Sequence, residues 1–383
     1  MADLARAGEA RTRVMGAQRH RVAAGRQSLT ARLQARIRRD GPLSVADYMQ
    51  ACLSDPNEGA YAARQPIGKA GDFITAPEIS QIFGELLGLW CVAVWQSMGE
   101  PSAVTVAELG PGRGTLMADA LRAWRLVPTF LDSVSIALVE TSPVLRDTQR
   151  KTLHASPAPL RWYQDAHALP KGPLILLANE FIDALPIRQH IRRGSAWRER
   201  GVILDARGEF TFGEGDAVHD AALPPAPDGA ILETRPAVME LLAALAVRAV
   251  QAPIAALILD YGHDESGFGD TLQAVTAHRF AEPLAVPGEA DLSAHVDFAT
   301  LEREAAALGL HPCGPMPQGE FLLKLGLATR RDRLLDHARP EQRAAIASGA
   351  MRLIDPHQMG VLFKVLALMG RGLPAPPPFH SDI

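Results

Sequence analysis

Val104-Thr105-Val106-Ala107-Glu108-Leu109-Gly110-Pro111-Gly112-Arg113-Gly114-Thr115 is the stretch on which the fold turns. Its first six residues have strand character, a glycine cluster follows, and the pattern then changes to an amphipathic helix over Thr115–Trp124. Glycines at such a junction permit a turn that side chains would block and let a ligand approach the backbone closely. The helix N-terminus adds free N–H groups and the positive end of its dipole. A tight strand-to-helix turn would use glycines as well, so the spacing has to decide.

That spacing is G-x-G-x-G, with Thr115 where a dinucleotide fingerprint places its third glycine. Glu108 ends the strand two residues before Gly110. Its carboxylate would repel a pyrophosphate and suits a cationic, ammonium-bearing ligand. Glu108, Gly110, Gly112 and Gly114 therefore favour S-adenosylmethionine, with its amine and sulfonium, over NAD. No G-x-x-x-x-G-K-[ST] occurs, which excludes a P-loop.

Working outward, Val134–Val139, Leu174–Leu177 and Ile254–Leu259 are further apolar runs. Helices are expected over Val144–Leu153 and through Val238, Leu241, Leu242 and Leu245. Continuous apolar strands alternating with helices imply a parallel sheet covered on both faces, which binds ligands at the carboxyl ends of its strands. Glu140 stands at one such end, placed for ribose hydroxyls or for capping the helix that follows. Asp165 is a candidate acceptor for an adenine amino group, and Asn179 falls among the cofactor-side residues at the next strand tip. Behind it, Glu180 and Asp183 lie three residues apart, a pair that could accept the forked N–H groups of a guanidinium and hold one nitrogen in line for methyl transfer. Asp183 could instead cap the turn before Pro186.

Residues 188–228 break the rhythm with strand-like pieces and Gly-containing turns, an antiparallel meander inserted into the sheet order. Residues 28–98 read as mostly helical. Leu29, Leu33 and Ile37 share one face, Ser44 is an N-cap, and Pro77 opens one helix buried through Ile79, Ile82, Phe83, Leu86, Leu87 and Trp90. The Pro-rich tail 374–378 offers little to pack. The expected division is an Arg-rich segment 1–39, a helical extension 40–98, and a main domain 99–383 with its insertion and a substrate-side region near 283–350.

Composition bounds the rest. Of 383 residues, 47% are hydrophobic and 21% charged, which excludes a disordered chain. A net charge of −4 gives no bulk attraction for nucleic acid. Three cysteines without C-x-x-C spacing argue against a disulfide framework or zinc ribbon. No H-x₃-H or H-E-x-x-H spacing supports a metal, no G-x-S-x-G supports a hydrolase, and no apolar run is long enough to span a bilayer. His263, His278 and His295 remain candidates for a substrate-side pocket. The first 39 residues carry ten arginines against Asp3 and Glu9, without a secretory h-region.

The run Gly71-Asp72-Phe73-Ile74-Thr75-Ala76-Pro77-Glu78-Ile79-Ser80-Gln81-Ile82-Phe83-Gly84-Glu85 is long and unusual. Together with Glu108–Leu116, Val139-Glu140, Ala178–Pro186, Asp260-Tyr261-Gly262 and Pro287–Phe298, it resembles the MidA family of class I methyltransferases, over roughly residues 40–330. The resemblance implies an α/β fold: a Rossmann-like seven-stranded sheet with an N-terminal helical extension and an inserted or appended substrate region. It implies S-adenosylmethionine as cofactor, bordered by Phe73 and Thr75, cradled by the three glycines and held at its ribose by Glu140. It further implies a protein arginine N-methyltransferase that symmetrically dimethylates an arginine on the respiratory complex I subunit equivalent to the mitochondrial 49-kDa subunit, supporting assembly of that complex. Glu180 and Asp183 fall in the family's acceptor-side segment. The compartment implied is the bacterial cytoplasm, or the mitochondrial matrix in a eukaryote. A non-catalytic assembly chaperone, a small-molecule methyltransferase and a nicotinamide oxidoreductase are the rival readings.

Overall fold

The computed structural model describes residues 27–63, 74–218, 223–276 and 278–379. Seven strands form the path of its central sheet: β1 (Val104–Leu109), β2 (Val134–Val139), β3 (Leu160–Tyr163), β4 (Leu174–Asn179), β5 (Ile254–His263), β6 (His311–Pro317) and β7 (Phe363–Met369). Their order is β3-β2-β1-β4-β5-β7-β6. The first five are mutually parallel, whereas β7 runs antiparallel to both neighbours. The sequence reverses direction between β1 and β4, so a crevice opens there at the carboxyl ends, where such sheets take ligands.

Both faces are covered, which is why these strands read as unbroken apolar runs. Val104 and Val106 face a core that contains Trp90, Trp124 and Phe130, supplied by the helices Gln81–Ser97, Thr115–Trp124 and Pro128–Ser133. Ala107 and Leu109 face the opposite core, closed by Pro236–Ala249 and Phe298–Ala307. Helices Gln81–Ser97 and Thr115–Trp124 approach so closely that a Cβ on Gly88 would lie 2.8 Å from Ala120 Cα. The Trp124 indole uses that proximity to donate to the Gly88 carbonyl at 2.9 Å.

A third core joins the N-terminal helices Leu29–Asp40 and Val45–Ser54 to the inserted sheet, through Leu33, Ile37, Tyr48, Val202 and Leu292. That sheet is an antiparallel meander of Arg188–Arg193, Ala196–Leu204 and Phe210–Val218, to which Ile231–Thr234 and the short Leu43–Ser44 strand add edges. Ser44 caps its helix as expected, accepting from Asp47 N.

The structure departs from the sequence reading, or adds to it, in several local details. The helix opened by Pro77 ends at Ile79, and a second begins at Gln81. Ser80 between them is extended and its hydroxyl accepts from Ile82 N, the competition with backbone that makes serine a cap rather than a helix interior residue. Leu160–Tyr163 is a strand that the sequence hides, because a short edge strand with exposed Arg161 lacks a continuous apolar signature. The expected seven-stranded path is present, and the two-residue strand Val296–Asp297 adds an eighth by pairing with the end of β5. Just before it, Asp291–Ser293 is a separate short strand that pairs with Gln273–Thr276. The Pro-rich tail does pack: Pro376 is buried and the Phe379 ring meets Phe321 at 5.7 Å.

The extra pairing explains Gly262. A Cβ there would stand 2.0 Å from the Val296 carbonyl oxygen, a backbone atom that cannot yield without breaking the pair. Gly262→Ala is expected to cost more than about 3 kcal/mol, read as a lowered thermal midpoint. Among the described residues no helix is long and apolar enough to cross a membrane.

Candidate functional site

Glu108 stands where β1 gives way to the glycine turn, and its Oε2 is buried with no hydrogen-bond partner among the described residues. Burial pushes its carboxyl up to about 8, so a cationic ligand group arriving there would stabilise the charged form. Gly110, Gly112 and Gly114 all have positive φ, at 59°, 52° and 80°, the left-handed region that a side chain disfavours. At Gly110 space matters too: a Cβ would lie 2.8 Å from the Phe181 ring. The acceptor-side turn after β4 therefore abuts the glycine turn after β1.

Glu140 ends β2, beside the turn. Its Oε1 accepts from Ser142 N at 2.8 Å and its Oε2 from Gln149 Nε2 at 3.1 Å. Burial raises its carboxyl above the ordinary value, while these donors pull it back. The helix beginning at Pro143 is capped by Ser142, not by Glu140, which leaves the Glu140 carboxylate for another partner. Asp165 lies just beyond β3, exposed, its Oδ1 accepting from His167 N at 2.8 Å. Phe73 falls outside the described residues. Thr75 precedes the helix Ala76–Ile79, whose Glu78 accepts from the Thr115 hydroxyl and lies 3.6 Å from Arg113, clamping the N-terminal extension onto the glycine turn.

Asn179 closes β4, with its Oδ1 buried and unpartnered among the described residues. Glu180 follows at φ 48°, a left-handed conformation that costs a non-glycine residue on the order of 1 kcal/mol. Its Oε1 accepts from Ala76 N at 2.8 Å and Asn179 Nδ2 at 3.2 Å, and its Oε2 takes no hydrogen bond from the described residues. Burial, the largest effect, and the neighbouring Asp183 push its carboxyl up to about 7. Asp183 is buried, also raised by burial, and pulled back first by Arg235. The structure thus brings Glu180 and Asp183 together on one turn.

Asp260 organises that turn. Its Oδ2 accepts from Phe181 N, Ile182 N and Asp183 N at 3.2, 2.9 and 3.1 Å. Arg235 lies half-buried near Asp260, Glu233 and Asp183, donating to the Ala294 and His295 carbonyls. Tyr61 donates to Asp291 at 2.9 Å, and its own carbonyl accepts from the Ser142 hydroxyl at 2.8 Å, so one residue touches both halves of the crevice. Of the three candidate histidines, His295 is the one whose ring meets Tyr261, edge-on at 5.3 Å. His263 contacts the Glu265 carbonyl and His278 sits in a left-handed turn. Gln149 and Arg235 carried no sequence signal, because each acts through tertiary contact alone. Asp260 followed an apolar run, and a carboxylate at the tip of a parallel strand was the available clue.

A reversed parallel sheet with an acidic β1 tip, a glycine turn and an acidic β2 tip defines a class I methyltransferase. Residues 86–316 match the family model described as "Putative S-adenosyl-L-methionine-dependent methyltransferase", and the chain belongs to that family. A Burkholderia thailandensis crystal structure bound to S-adenosyl-homocysteine superposes with a TM-score of 0.78 at 29% identity, covering 91% of this chain and 93% of that one. Among curated relatives, the Drosophila melanogaster "Protein arginine methyltransferase NDUFAF7 homolog, mitochondrial" is 37% identical, over 90% of this chain and 85% of its own length. The Homo sapiens "Protein arginine methyltransferase NDUFAF7, mitochondrial" is 35% identical over 88% and 82%. The chain is an S-adenosylmethionine-dependent enzyme, and the buried, unpartnered Glu108 oxygen fits that cofactor's cationic amine.

Proposed function

We propose that this enzyme methylates an arginine side chain of a protein, symmetrically dimethylating the complex I subunit equivalent to the mitochondrial 49-kDa subunit and supporting assembly of that complex. The observation that carries the reading is the carboxylate pair Glu180 and Asp183, held on a strained turn against the glycine turn through Phe181 and Gly110. The names of the NDUFAF7 relatives support an arginine acceptor in a protein. They are named as mitochondrial; in a bacterium the acceptor subunit would be met in the cytoplasm.

Glu108 and the turn at Gly110, Gly112 and Gly114 would hold the amino-acid end of the cofactor, with Glu140 at its ribose. Thr75, Phe73, Asp165 and Asn179 would complete its surroundings. Bound S-adenosylmethionine supplies an electrophilic methyl group. Asp183 and Glu180 would accept N–H groups of the acceptor guanidinium, fixing one nitrogen for in-line displacement, where alignment supplies much of the rate. Glu180, raised toward neutrality and with no hydrogen bond to its Oε2 among the described residues, would take the proton that the methylated guanidinium releases.

The test is incubation of the purified chain with labelled S-adenosylmethionine and the acceptor subunit, followed by mass spectrometry of its arginines. Transfer to arginine supports the reading; stable subunit binding without transfer indicates an assembly chaperone, and turnover on a metabolite alone indicates a small-molecule enzyme. Glu140→Ala is expected to weaken S-adenosylhomocysteine binding at least about tenfold by calorimetry, since a hydrogen bond to a charged group contributes about 1.5–3 kcal/mol.

A further inference from the structure

Helix Pro143–Thr152 carries arginine, lysine, aspartate and threonine, yet Gln149 on it has no exposed surface. Its amide is used at three points. Nε2 donates to the Gly112 carbonyl at 2.8 Å and to Glu140 Oε2 at 3.1 Å, while Oε1 accepts from the Trp162 indole N–H at 2.9 Å. Chemistry fixes the amide's orientation, because an indole N–H only donates and a carbonyl only accepts. Trp162 is itself held in β3 beneath the Arg150 guanidinium, 5.0 Å from its ring centroid. A Cβ on Gly114 would reach Gln149 Cγ at 3.6 Å, so the side chain lies directly under the glycine turn.

We propose that Gln149 is a positioning residue for the cofactor, one amide that locks the glycine turn and the Glu140 carboxylate into a single bracket. Glu140 then has both oxygens engaged from the protein side, Oε1 by Ser142 N and Oε2 by Gln149, with the remaining lone pairs directed by those bonds. Without the amide, Gly112 and Glu140 are each free to turn independently, and a ligand must order both on binding. The inference rests on reading Glu140 as the ribose acceptor.

The experiment measures calorimetric affinity for S-adenosylhomocysteine and for its 2′,3′-dideoxy analogue in wild type, Gln149→Met, Trp162→Phe and Glu140→Ala. Gln149→Met keeps the volume and removes both donors. It is expected to weaken S-adenosylhomocysteine by about 10–100-fold, the range found when a supporting residue behind a ligand is removed. The dideoxy analogue should lose several-fold less, because the hydroxyls that a well-aimed Glu140 would accept are absent from it. Trp162→Phe removes the donor that orients the amide while keeping an aromatic ring beneath Arg150, and should shift the same ratio in the same direction by about 3–10-fold. It serves in place of Gln149→Met if that variant does not fold. A folded variant that binds S-adenosylhomocysteine within about twofold of wild type, or that loses both ligands equally, overturns the proposal. An unchanged affinity in Glu140→Ala would instead overturn the ribose reading beneath it.

Discussion

Asp183→Asn is expected to reduce turnover by about 100–1,000-fold while S-adenosylhomocysteine binds within about threefold of wild type. The substitution keeps the side chain's size and removes its charge, so it isolates what the carboxylate does for an acceptor cation. Asp183 is buried on the turn behind β4, whereas Glu108 and Glu140, proposed above for the cofactor, end β1 and β2. Equal losses in cofactor affinity and turnover would reject this division of roles. Acidity gives an independent check. Glu180 is pushed up to about 7 by burial, and the proposed proton transfer needs its ionised form, so kcat/KM should climb with pH and level off above about 7. The stability effect has the opposite sign. Burial raises the folded carboxyls of Glu180 and Asp183 above their unfolded values, so the folded state binds more protons and its stability falls as pH rises through that range. Asp183→Asn should therefore melt no lower than wild type at pH 8 despite its lost activity, which differential scanning calorimetry reads directly.

Asp260→Ala should do the reverse, and unfold the site. Three main-chain N–H groups converge on Oδ2, a fourth from Tyr261 reaches Oδ1 at 2.9 Å, and Arg235 loses a counter-charge. Leaving four buried main-chain donors without their acceptor, at about 1–3 kcal/mol each, costs at least about 3 kcal/mol. At about 2–4 °C per kcal/mol, the thermal midpoint should fall by on the order of 10 °C, with turnover lost as the turn carrying Glu180 and Asp183 opens. A midpoint within about 2 °C of wild type would show that the turn holds itself. Comparing the two variants separates a group that does chemistry from one that shapes it.

What could be seen in the sequence follows a physical rule. The glycine turn, Glu108 and Glu140 were legible because each is set by its own neighbours: a strand end, a turn and a helix start in contiguous residues. The pair Glu180 and Asp183 was legible for the same reason. Arg235 and Gln149 gain their meaning only when the inserted sheet and the helix after β2 close around the crevice, and no local pattern announces that, whereas Asp260 was marked only by its place at a strand tip. Ser80 shows a subtler limit. The apolar spacing from Ile79 to Trp90 is helical throughout, and a single serine hydroxyl outweighs it. The tail failed differently: proline content says how a segment bends, but the Phe379 ring decides where it lies.

Glu180 stands at a backbone position that glycine or asparagine would occupy with less strain. Selection for chemistry and selection for comfort thus pull this one codon in opposite directions. A copy that kept the fold without transferring methyl groups would be free to relieve that strain with glycine or asparagine at residue 180.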